Sequence, residues 1–157
     1  TEIYTLSLHD ALPISQAATD YPISRRTRFT ESLTAAGRRP GREEAEALGL
    51  AQGDPVHLAE TLSRLDGAPV AASRMCWPAA RLPGFLEALK ASGSITNALA
   101  ACQVPDYERA WTRMTAQRPG AILARQLQIP DVQPVLRTEA LSLTPDGVPI
   151  EYGLTWI

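Results

Sequence analysis

Two short stretches of this 157-residue chain carry side chains that suit a small anion. In the first, the run Arg25–Thr30 contains three arginines and leads directly into a predicted helix start at Thr30. In the second, Ser94 follows Gly93 at the start of another predicted helix, which also carries Thr96. The free N–H groups and partial positive charge of a helix N-terminus stabilise an anion, so both helix starts are candidate binding positions.

Arg64 and Arg74 are further candidates, because they lie on opposite strands of one predicted hairpin. If the turn of this hairpin has two residues, Arg64 lies opposite Pro69 and Ser63 lies opposite Val70. Each candidate also has an ordinary structural interpretation, as a helix cap or as a solvated arginine on a strand. Taken together, they favour a site for a small anion.

Groups for catalysis or metal binding are sparse in this sequence. His57 has no Cys or Asp partner at the spacing of a metal site. Cys76 and Cys102 are far apart and lie among apolar residues, which is typical of buried thiols. The common nucleotide-binding, zinc-protease and serine-hydrolase motifs do not occur. The sequence therefore predicts no catalytic residue, no metal site and no cofactor.

The composition is typical of one globular domain. Fifteen Lys and Arg residues stand against 17 Asp and Glu, and 45% of the residues are hydrophobic. No apolar run approaches the roughly 20 residues of a membrane-spanning helix. A formal net charge of -2 argues against a chain that binds nucleic acid with its own surface.

An internal repeat organises most of the chain. Residues 48–63 and 127–142 share Leu, Pro, Val, Glu, Leu and Ser at matching positions, 79 residues apart. Each copy then continues into an Asp-Gly turn between apolar stretches, Asp66-Gly67 in the first and Asp146-Gly147 in the second, which is a strong hairpin signal. The repeat therefore predicts two copies of a helix, a strand, a hairpin turn and a strand, joined in one pseudo-symmetric sheet.

A capping threonine and the following Gly37 predict a helix from Thr30 to Ala36. Helical spacing predicts further helices over residues 42–48, 83–91, 94–102 and 120–127, and alternation predicts a strand over 107–117 before the second copy. No matching strand is predicted before Arg42, and the apolar run that ends at Ile157 resembles an unfinished strand. The sequence thus predicts a sheet that is incomplete, with a truncated C-terminus, an internal deletion near residue 41 and reduced stability from unpaired strand edges.

The N-terminal residues differ in character from the rest. Residues 1–14 resemble, residue for residue, one reading frame of a common sequencing adapter. We therefore expect residues 1–15 to be an artefact, residues 16–24 to be the remnant of a linker, and residues 25–157 to be the folded domain.

Several short motifs follow one another along the chain in a characteristic order. They are Tyr21-Pro22, Thr27-Arg28-Phe29-Thr30, Leu33, Gly37, Ala45, Leu48-Gly49-Leu50, Gly53, Pro55-Val56, Asp66-Gly67, Pro69, Gly93-Ser94 and Pro149-Ile150-Glu151-Tyr152. In this order they resemble the UTRA effector-binding domain of GntR-type bacterial transcription regulators of the HutC-like branch. The likeness is closest to regulators of phosphonate metabolism and covers roughly residues 20–157.

The resemblance implies an α+β, chorismate-lyase-like fold with helices packed on an antiparallel sheet. It also implies a domain that binds a small, often anionic, metabolite and usually forms a homodimer. Such a domain signals to an N-terminal winged helix-turn-helix that binds operator DNA and lies outside this sequence. A regulator of this kind is cytoplasmic.

Residues carried over from the family extend the candidate site. The loop at Arg28-Phe29-Thr30 and the helix start at Ser94 match segments that contact a phosphate or carboxylate of the ligand. Glu151 matches a polar position at the far end of the pocket.

One position departs from the family pattern. Many members have an arginine three residues before the hairpin aspartate, where this chain has Ser63. Because neighbouring residues of a strand face opposite sides, Arg64 is expected to point away from the pocket. Tight binding of a phosphate would then need Arg28 or Arg74.

Two other functions stay open on the sequence alone. One is a lyase that removes pyruvate from chorismate, a reaction that needs few acid–base residues. The other is a dimerisation module without a ligand. A segment over residues 21–29 that looks like a linker argues against the enzyme, and a polar cavity near Thr30, Ser94 and Glu151 would argue against the dimerisation module.

Overall fold

The computed structural model describes residues 34–51 and 53–157. The elements in chain order are β1 (Thr34–Arg38), α1 (Arg42–Leu48), β2 (Val56–Leu65), β3 (Ala68–Pro78), α2 (Phe85–Ser92), α3 (Ile95–Ala101), β4 (Glu108–Gln117), α4 (Gly120–Leu127), β5 (Val135–Leu143) and β6 (Pro149–Trp156). A short 3-10 turn at Ala79–Arg81 leads from β3 towards α2. Within these residues no helix is long and apolar enough to cross a membrane.

The strands form one antiparallel sheet in the order β1-β2-β3-β6-β5-β4. The unit β1-α1-β2-β3 is repeated by β4-α4-β5-β6, and the two units join where β3 pairs with β6. Asp66-Gly67 connects β2 to β3, and Asp146-Gly147 connects β5 to β6. The predicted α+β class and the pseudo-symmetric sheet are therefore confirmed.

Strand β1 corrects two expectations. The predicted helix from Thr30 to Ala36 is wrong over residues 34–36, where the chain is a strand paired with β2, and residues 30–33 lie outside the described residues. The strand that was expected to be missing before Arg42 is thus present, although it has five residues where β4 has ten. Alanine is the strongest helix former, but intrinsic propensity contributes less than about 1 kcal/mol per residue, and the hydrogen bonds that the open edge of β2 offers override it. The internal deletion near residue 41 stays a prediction.

The other four predicted helices are present, with shifts of one or two residues at some ends. Helix α1 begins where the Gly41 N–H donates to the Glu44 carboxylate, 2.6 Å away. It ends at Gly49, whose φ of 62° is a conformation that glycine adopts without a steric penalty.

Helices α1 and α4 cover one side of the sheet, which we call the α1–α4 face. Each of them packs across the junction between the two units. Leu48 of α1 lies in a cluster with Tyr152 of β6, while Leu127 of α4 lies in a cluster with Ala72 of β3. Since each unit buries its helix against a strand of the other, neither has a complete core alone.

Helices α2 and α3 cover the other side, which we call the α2–α3 face. Their apolar residues pack on β2 and β3 around Trp77, which is fully buried. The rings of Trp77 and Phe85 have centroids 4.7 Å apart, so α2 is held directly against β3. This helix pair, inserted between the two units, forms one wall of the site described next.

Candidate functional site

A cleft of about 460 Å³ opens on the α2–α3 face between the sheet and the α2–α3 connection. It is lined by Ala59, Thr61 and Ser63 of β2, Ser73, Met75 and Trp77 of β3, and Leu89, Lys90, Gly93 and Ile95 of the helical wall. The volume is within the range of small-molecule sites in proteins. Its position follows from the insertion between the two units, because α2 and α3 come after β3 and fold back over β2 and β3.

The floor of the cleft carries three hydroxyl groups. Thr61 and Ser73 are directly opposite each other on β2 and β3, and Ser63 lies two residues further along β2. Residues two apart on a strand face the same side, so all three side chains reach the cleft. The Oγ of Ser73 also lies 3.1 Å from Oγ1 of Thr155 on β6, which fixes its position on the floor.

The remaining walls are mostly apolar, with one charge. Met75 and Trp77 continue the floor, and Leu89 and Ile95 face them from the helices. Lys90, in the last turn of α2, is the charged residue among those that line the cleft in the described part of the chain. A ligand here would meet hydroxyls, an ammonium group and apolar carbon within one cleft.

Sequence reasoning missed Lys90. The signal was present, because Lys90 follows Leu89, a buried residue of α2, and therefore stands at the border of the apolar stripe. What the pattern of α2 did not reveal is that this border opens onto a cleft rather than onto bulk water.

Ser94 stands between two residues that line the cleft. Its hydroxyl accepts a hydrogen bond from the Asn97 N–H at 3.3 Å, so Ser94 is the N-cap that the sequence predicted. Gly93, with φ of 62°, makes the turn that joins α2 to α3. Thr96 is exposed on α3 and does not line the cleft.

Glu151 lies beside the cleft floor, on the neighbouring strand β6 and on the same face of the sheet as Trp77, with 4% of its surface exposed. One carboxylate oxygen accepts from Nε1 of Trp77 at 3.1 Å, and the other accepts from Oγ of Ser142 at 3.3 Å. Nη1 of Arg109 lies 3.9 Å from the same carboxylate. Burial raises the pKa of Glu151 above its ordinary value, and the charge of Arg109 with the two hydrogen bonds holds that rise back.

The two hairpin arginines lie outside the cleft. Nη1 of Arg64 donates to the Gly67 carbonyl at 2.9 Å, whereas Ser63 beside it lines the cleft, as the alternation predicted. Ser63 lies opposite Ala71 rather than Val70, because the register shifts between Ser63 and Arg64.

Arg74 is on the α1–α4 face. Its Nε lies 3.4 Å from a carboxylate oxygen of Glu60 and 3.9 Å from one of Glu44. Because neighbouring residues of β3 face opposite sides, Ser73 reaches the cleft and Arg74 does not. Arg28, Phe29 and Thr30 lie outside the described residues.

Reactive groups are few in the described part of the chain, where three or more His, Cys, Asp and Glu side chains nowhere converge as a metal site would require. Cys76 lies on the α1–α4 face, and burial, together with the neighbouring Glu44, raises its pKa to about 12. Its thiol is therefore protonated at neutral pH and a poor nucleophile.

The fold and the cleft together define a class of protein: an α+β domain built from a repeated unit, with an open small-molecule cleft beneath an inserted helix pair. In comparison with known families, residues 25–157 match the UTRA domain, and the chain belongs to that family. The predicted resemblance and the chorismate-lyase-like fold are thereby confirmed.

Three relatives illustrate the match. An HTH-type transcriptional regulator of Rhizobium meliloti is 33% identical over 86% of this chain and 60% of its own length. The transcriptional regulator PhnF of Escherichia coli is 28% identical over 87% of this chain and 61% of its own length. The solved effector domain of PhnF from Mycobacterium smegmatis is 22% identical, with a TM-score of 0.67 over 79% of this chain and 80% of that domain.

The extent of the match limits what it shows. The chain spans about three fifths of the length of the two regulators, and the likeness to the solved effector domain shows the fold. The comparisons thus establish a UTRA domain homologous to part of bacterial transcriptional regulators.

Proposed function

We propose that this chain is the effector-binding domain of a GntR-type transcription regulator and that a small anionic metabolite binds in the cleft on the α2–α3 face. The observation that carries the proposal is that Lys90 and the hydroxyls of Thr61, Ser63 and Ser73 line one cleft. The other residues that line this cleft are mostly apolar. Membership of the UTRA family and the names of the homologous regulators support it.

The chemistry of the lining favours a particular kind of ligand. An ammonium group and several hydroxyls in one cleft can donate hydrogen bonds to a phosphonate, a phosphate or a carboxylate. Trp77 and Met75 offer apolar surface for the carbon part of the same molecule. We therefore infer a compact anion, with a phosphonate or a sugar phosphate as the first candidates.

Other predicted site residues take supporting positions in this proposal. Ser94 shapes the turn at the rim, with Thr96 close to it on α3, and Glu151 holds the indole of Trp77 from the neighbouring strand. The segment Arg28-Phe29-Thr30 supplies further contacts to the anion.

The wider role follows from the same proposal. The effector shifts the balance between two arrangements of the whole regulator, through a coupling free energy of about 1–3 kcal/mol. Operator DNA is bound in the cytoplasm by a winged-helix domain that precedes this one, and two copies of the chain associate as a homodimer. The domain itself has no enzymatic role.

The two alternatives have weaker support. The curated relatives of this chain are named as transcriptional regulators, which favours a binding domain over a chorismate-cleaving lyase. A module that only dimerises has no use for a hydroxyl-lined cleft. We expect no release of pyruvate when the protein is mixed with chorismate, and turnover above background would overturn the proposal in favour of the enzyme.

A thermal-shift screen of the 157-residue protein tests the proposal directly. The probes are methylphosphonate, inorganic phosphate, glucose 6-phosphate and pyruvate. A ligand at about 100 times its Kd stabilises by about 2.7 kcal/mol, which corresponds to a rise in Tm of roughly 5–10 °C for a domain of this size.

Lys90→Gln and Arg125→Gln form a matched pair for this screen. Both residues are basic and lie in the last turn of a helix, but Arg125 is on α4, on the opposite face of the sheet. We expect Lys90→Gln to lose most of the ligand-induced rise and Arg125→Gln to keep it. Equal responses of the two variants, or no response of the parent protein to any probe, would contradict an anion site in this cleft.

A further inference from the structure

Trp77 separates the cleft from the Glu151 carboxylate. The cleft lies over β2 and β3, whereas Glu151 is on β6, the next strand beyond β3. The indole of Trp77 lines the cleft, and its Nε1 donates to Oε2 of Glu151 at 3.1 Å. Glu151 itself is not among the residues that line the cleft in the described part of the chain. The carboxylate that was expected at the far end of the pocket therefore has a tryptophan between it and the ligand.

The other oxygen of the Glu151 carboxylate is also occupied. Oε1 accepts a hydrogen bond from Oγ of Ser142 at 3.3 Å, and Nη1 of Arg109 lies 3.9 Å from the same oxygen. Ser142 and Arg109 are directly opposite each other on β5 and β4, so both lie on the side of Glu151 that is away from the cleft. With a partner on each oxygen, the buried carboxylate has its hydrogen bonds satisfied without a ligand.

The indole of Trp77 is fixed in this position. Trp77 has no exposed surface, and its ring packs on the ring of Phe85 with centroids 4.7 Å apart. Rotation of the indole away from the cleft would break this contact and leave Nε1 without an acceptor in a buried place. Trp77 is thus a rigid wall of the cleft rather than a movable lid.

Trp77 also stands at a defined distance from the hydroxyl groups of the cleft floor. Ser73, Met75 and Trp77 follow one another at alternate positions of β3, and four steps along a strand span about 13 Å. A ligand whose anionic group bonds to Ser73 and Thr61, and whose tail runs along β3, would pass Met75 and end near Trp77. No carboxylate of the described residues lines this path.

We propose that Trp77 determines the specificity of the cleft by withholding Glu151 from the ligand, so that the site takes anions with an uncharged tail and rejects those whose tail ends in an ammonium group. The inference rests on the anion site of the proposed function and narrows the class of ligand within it. An uncharged tail gains from burial against the apolar walls. An ammonium group in the same place would lose its hydration without gaining an opposite charge, which is unfavourable.

Two isosteric probes test the proposal in calorimetric titrations of the 157-residue protein. Pentylphosphonate ends in a methyl group where 4-aminobutylphosphonate ends in an ammonium group. We expect the parent protein to bind pentylphosphonate with a Kd at least about 10-fold lower, because the ammonium group finds no counter-charge. The cleft would then discriminate by the charge of the tail, since the two probes share the phosphonate.

Trp77→Leu should reverse this preference. The substitution removes Nε1 and most of the ring, which opens Glu151 to the cleft and lets its carboxylate pair with the ammonium group. Trp111→Leu is the matched control, because Trp111 packs beside Tyr152 on the α1–α4 face. This control should keep the preference of the parent protein. Adding Glu151→Gln to Trp77→Leu should remove the gained affinity for 4-aminobutylphosphonate.

Glu151→Gln alone gives a second comparison that leaves Trp77 in place. Because Glu151 does not contact the ligand in the parent protein, this variant should change the Kd of both probes by the same factor. If Glu151→Gln selectively weakened the binding of 4-aminobutylphosphonate, the carboxylate would already reach the ligand, and the proposal would be wrong. This comparison decides the matter should Trp77→Leu fail to fold.

The outcomes also separate this proposal from the anion site on which it rests. Equal binding of both probes by the parent protein would overturn the role of Trp77 and leave the anion site standing. The same holds if Trp77→Leu keeps the parent's preference with unchanged far-UV circular dichroism. If neither probe binds to the parent protein and the thermal-shift screen shows no response either, the anion site itself is contradicted.

Discussion

Nε1 of Trp77 donates a hydrogen bond to Glu151 across 3.1 Å, and this bond ties the floor of the cleft on β3 to the buried carboxylate on β6. The two residues come from different copies of the repeat, at the junction where β3 and β6 pair. Glu151 of the second copy therefore sets the orientation of the indole from the neighbouring strand, while the indole ring lines the cleft.

Glu151→Ala is expected to destabilise the protein. The substitution leaves Nε1 of Trp77 and the hydroxyl of Ser142 without an acceptor in a buried place, which costs about 1–3 kcal/mol for an unsatisfied group. Urea unfolding followed by tryptophan fluorescence measures the loss. Glu108→Gln on the exposed start of β4 serves as the control and should change the free energy of unfolding by less than about 0.5 kcal/mol. An equally small effect of both substitutions would contradict a structural role for the Trp77–Glu151 bond.

The same carboxylate should make stability depend on pH. Because burial raises the pKa of Glu151 in the folded protein, the folded state holds a proton that the unfolded state has already released. The contribution of Glu151 is therefore fully present below the unfolded pKa, near 4.5, and is lost as the pH rises through the higher folded pKa. The Glu151→Gln variant has no carboxyl that titrates at this position, so its stability should not change with pH in this way. The difference in unfolding free energy between parent and variant should therefore shrink or change sign over that window. Parallel curves from about pH 4 to about pH 7 would show that the pKa of Glu151 is the same in both states.

Ser63→Arg should strengthen anion binding. Ser63 lines the cleft, so an arginine there brings a guanidinium into a site where Lys90 is the charged group among the described residues. A hydrogen bond to a charged group contributes about 1.5–3 kcal/mol, which corresponds to roughly a 10-fold to 100-fold lower Kd. Calorimetric titration with the probe that gives the largest thermal shift measures it.

Arg64→Ser is the matched control for that experiment. Arg64 is next to Ser63 but donates to the Gly67 carbonyl, away from the cleft. Its loss should leave the Kd of the anion within about twofold of the parent value. If Arg64→Ser weakened binding as strongly as Ser63→Arg strengthened it, the assignment of the two residues to opposite sides of β2 would be wrong.

Gly67→Ala and Gly147→Ala should each destabilise the fold. Both glycines have positive φ, 85° and 83°, in the turns that close the two hairpins. An alanine in this conformation costs roughly 1–2 kcal/mol because its Cβ crowds the backbone. Gly37→Ala is the comparison, since Gly37 lies in β1 without a positive φ and has open space around it, and its unfolding midpoint in urea should not fall. Similar midpoints for all three variants would show that the turns tolerate a side chain.

Much of the architecture could be predicted from local patterns. The recurrence of Leu48–Ser63 as Leu127–Ser142 and the two Asp-Gly turns predicted the paired units. The two Asp-Gly turns are 80 residues apart. The sheet junction has the same 80-residue offset, because Arg74 lies directly opposite Leu154. The pseudo-two-fold axis therefore passes between Arg74 and Leu154. Such features are visible in the sequence because turn geometry and strand alternation depend on neighbouring residues.

The missed features depend on contacts between distant residues. Residues 34–36 were predicted to continue a helix, but β2 offered them a partner, and a row of strand hydrogen bonds outweighs local propensity. Arg74 was a plausible ligand for an anion until the sheet placed it on the α1–α4 face beside Glu60. Lys90 gained its place at the cleft when α2 folded back over β3.

The sequence by itself determined the repeated unit, the hairpins, most helix ends and the family, because each is written in residues close together in the chain or in their order. Only the tertiary structure decided which side chains share the cleft and which strand faces lie open. Those outcomes depend on where the inserted helices pack and on the pairing of β3 with β6. This pairing joins residues some 80 positions apart. Local propensity carries no information about a partner at that distance, and the free energy of burial decides it instead.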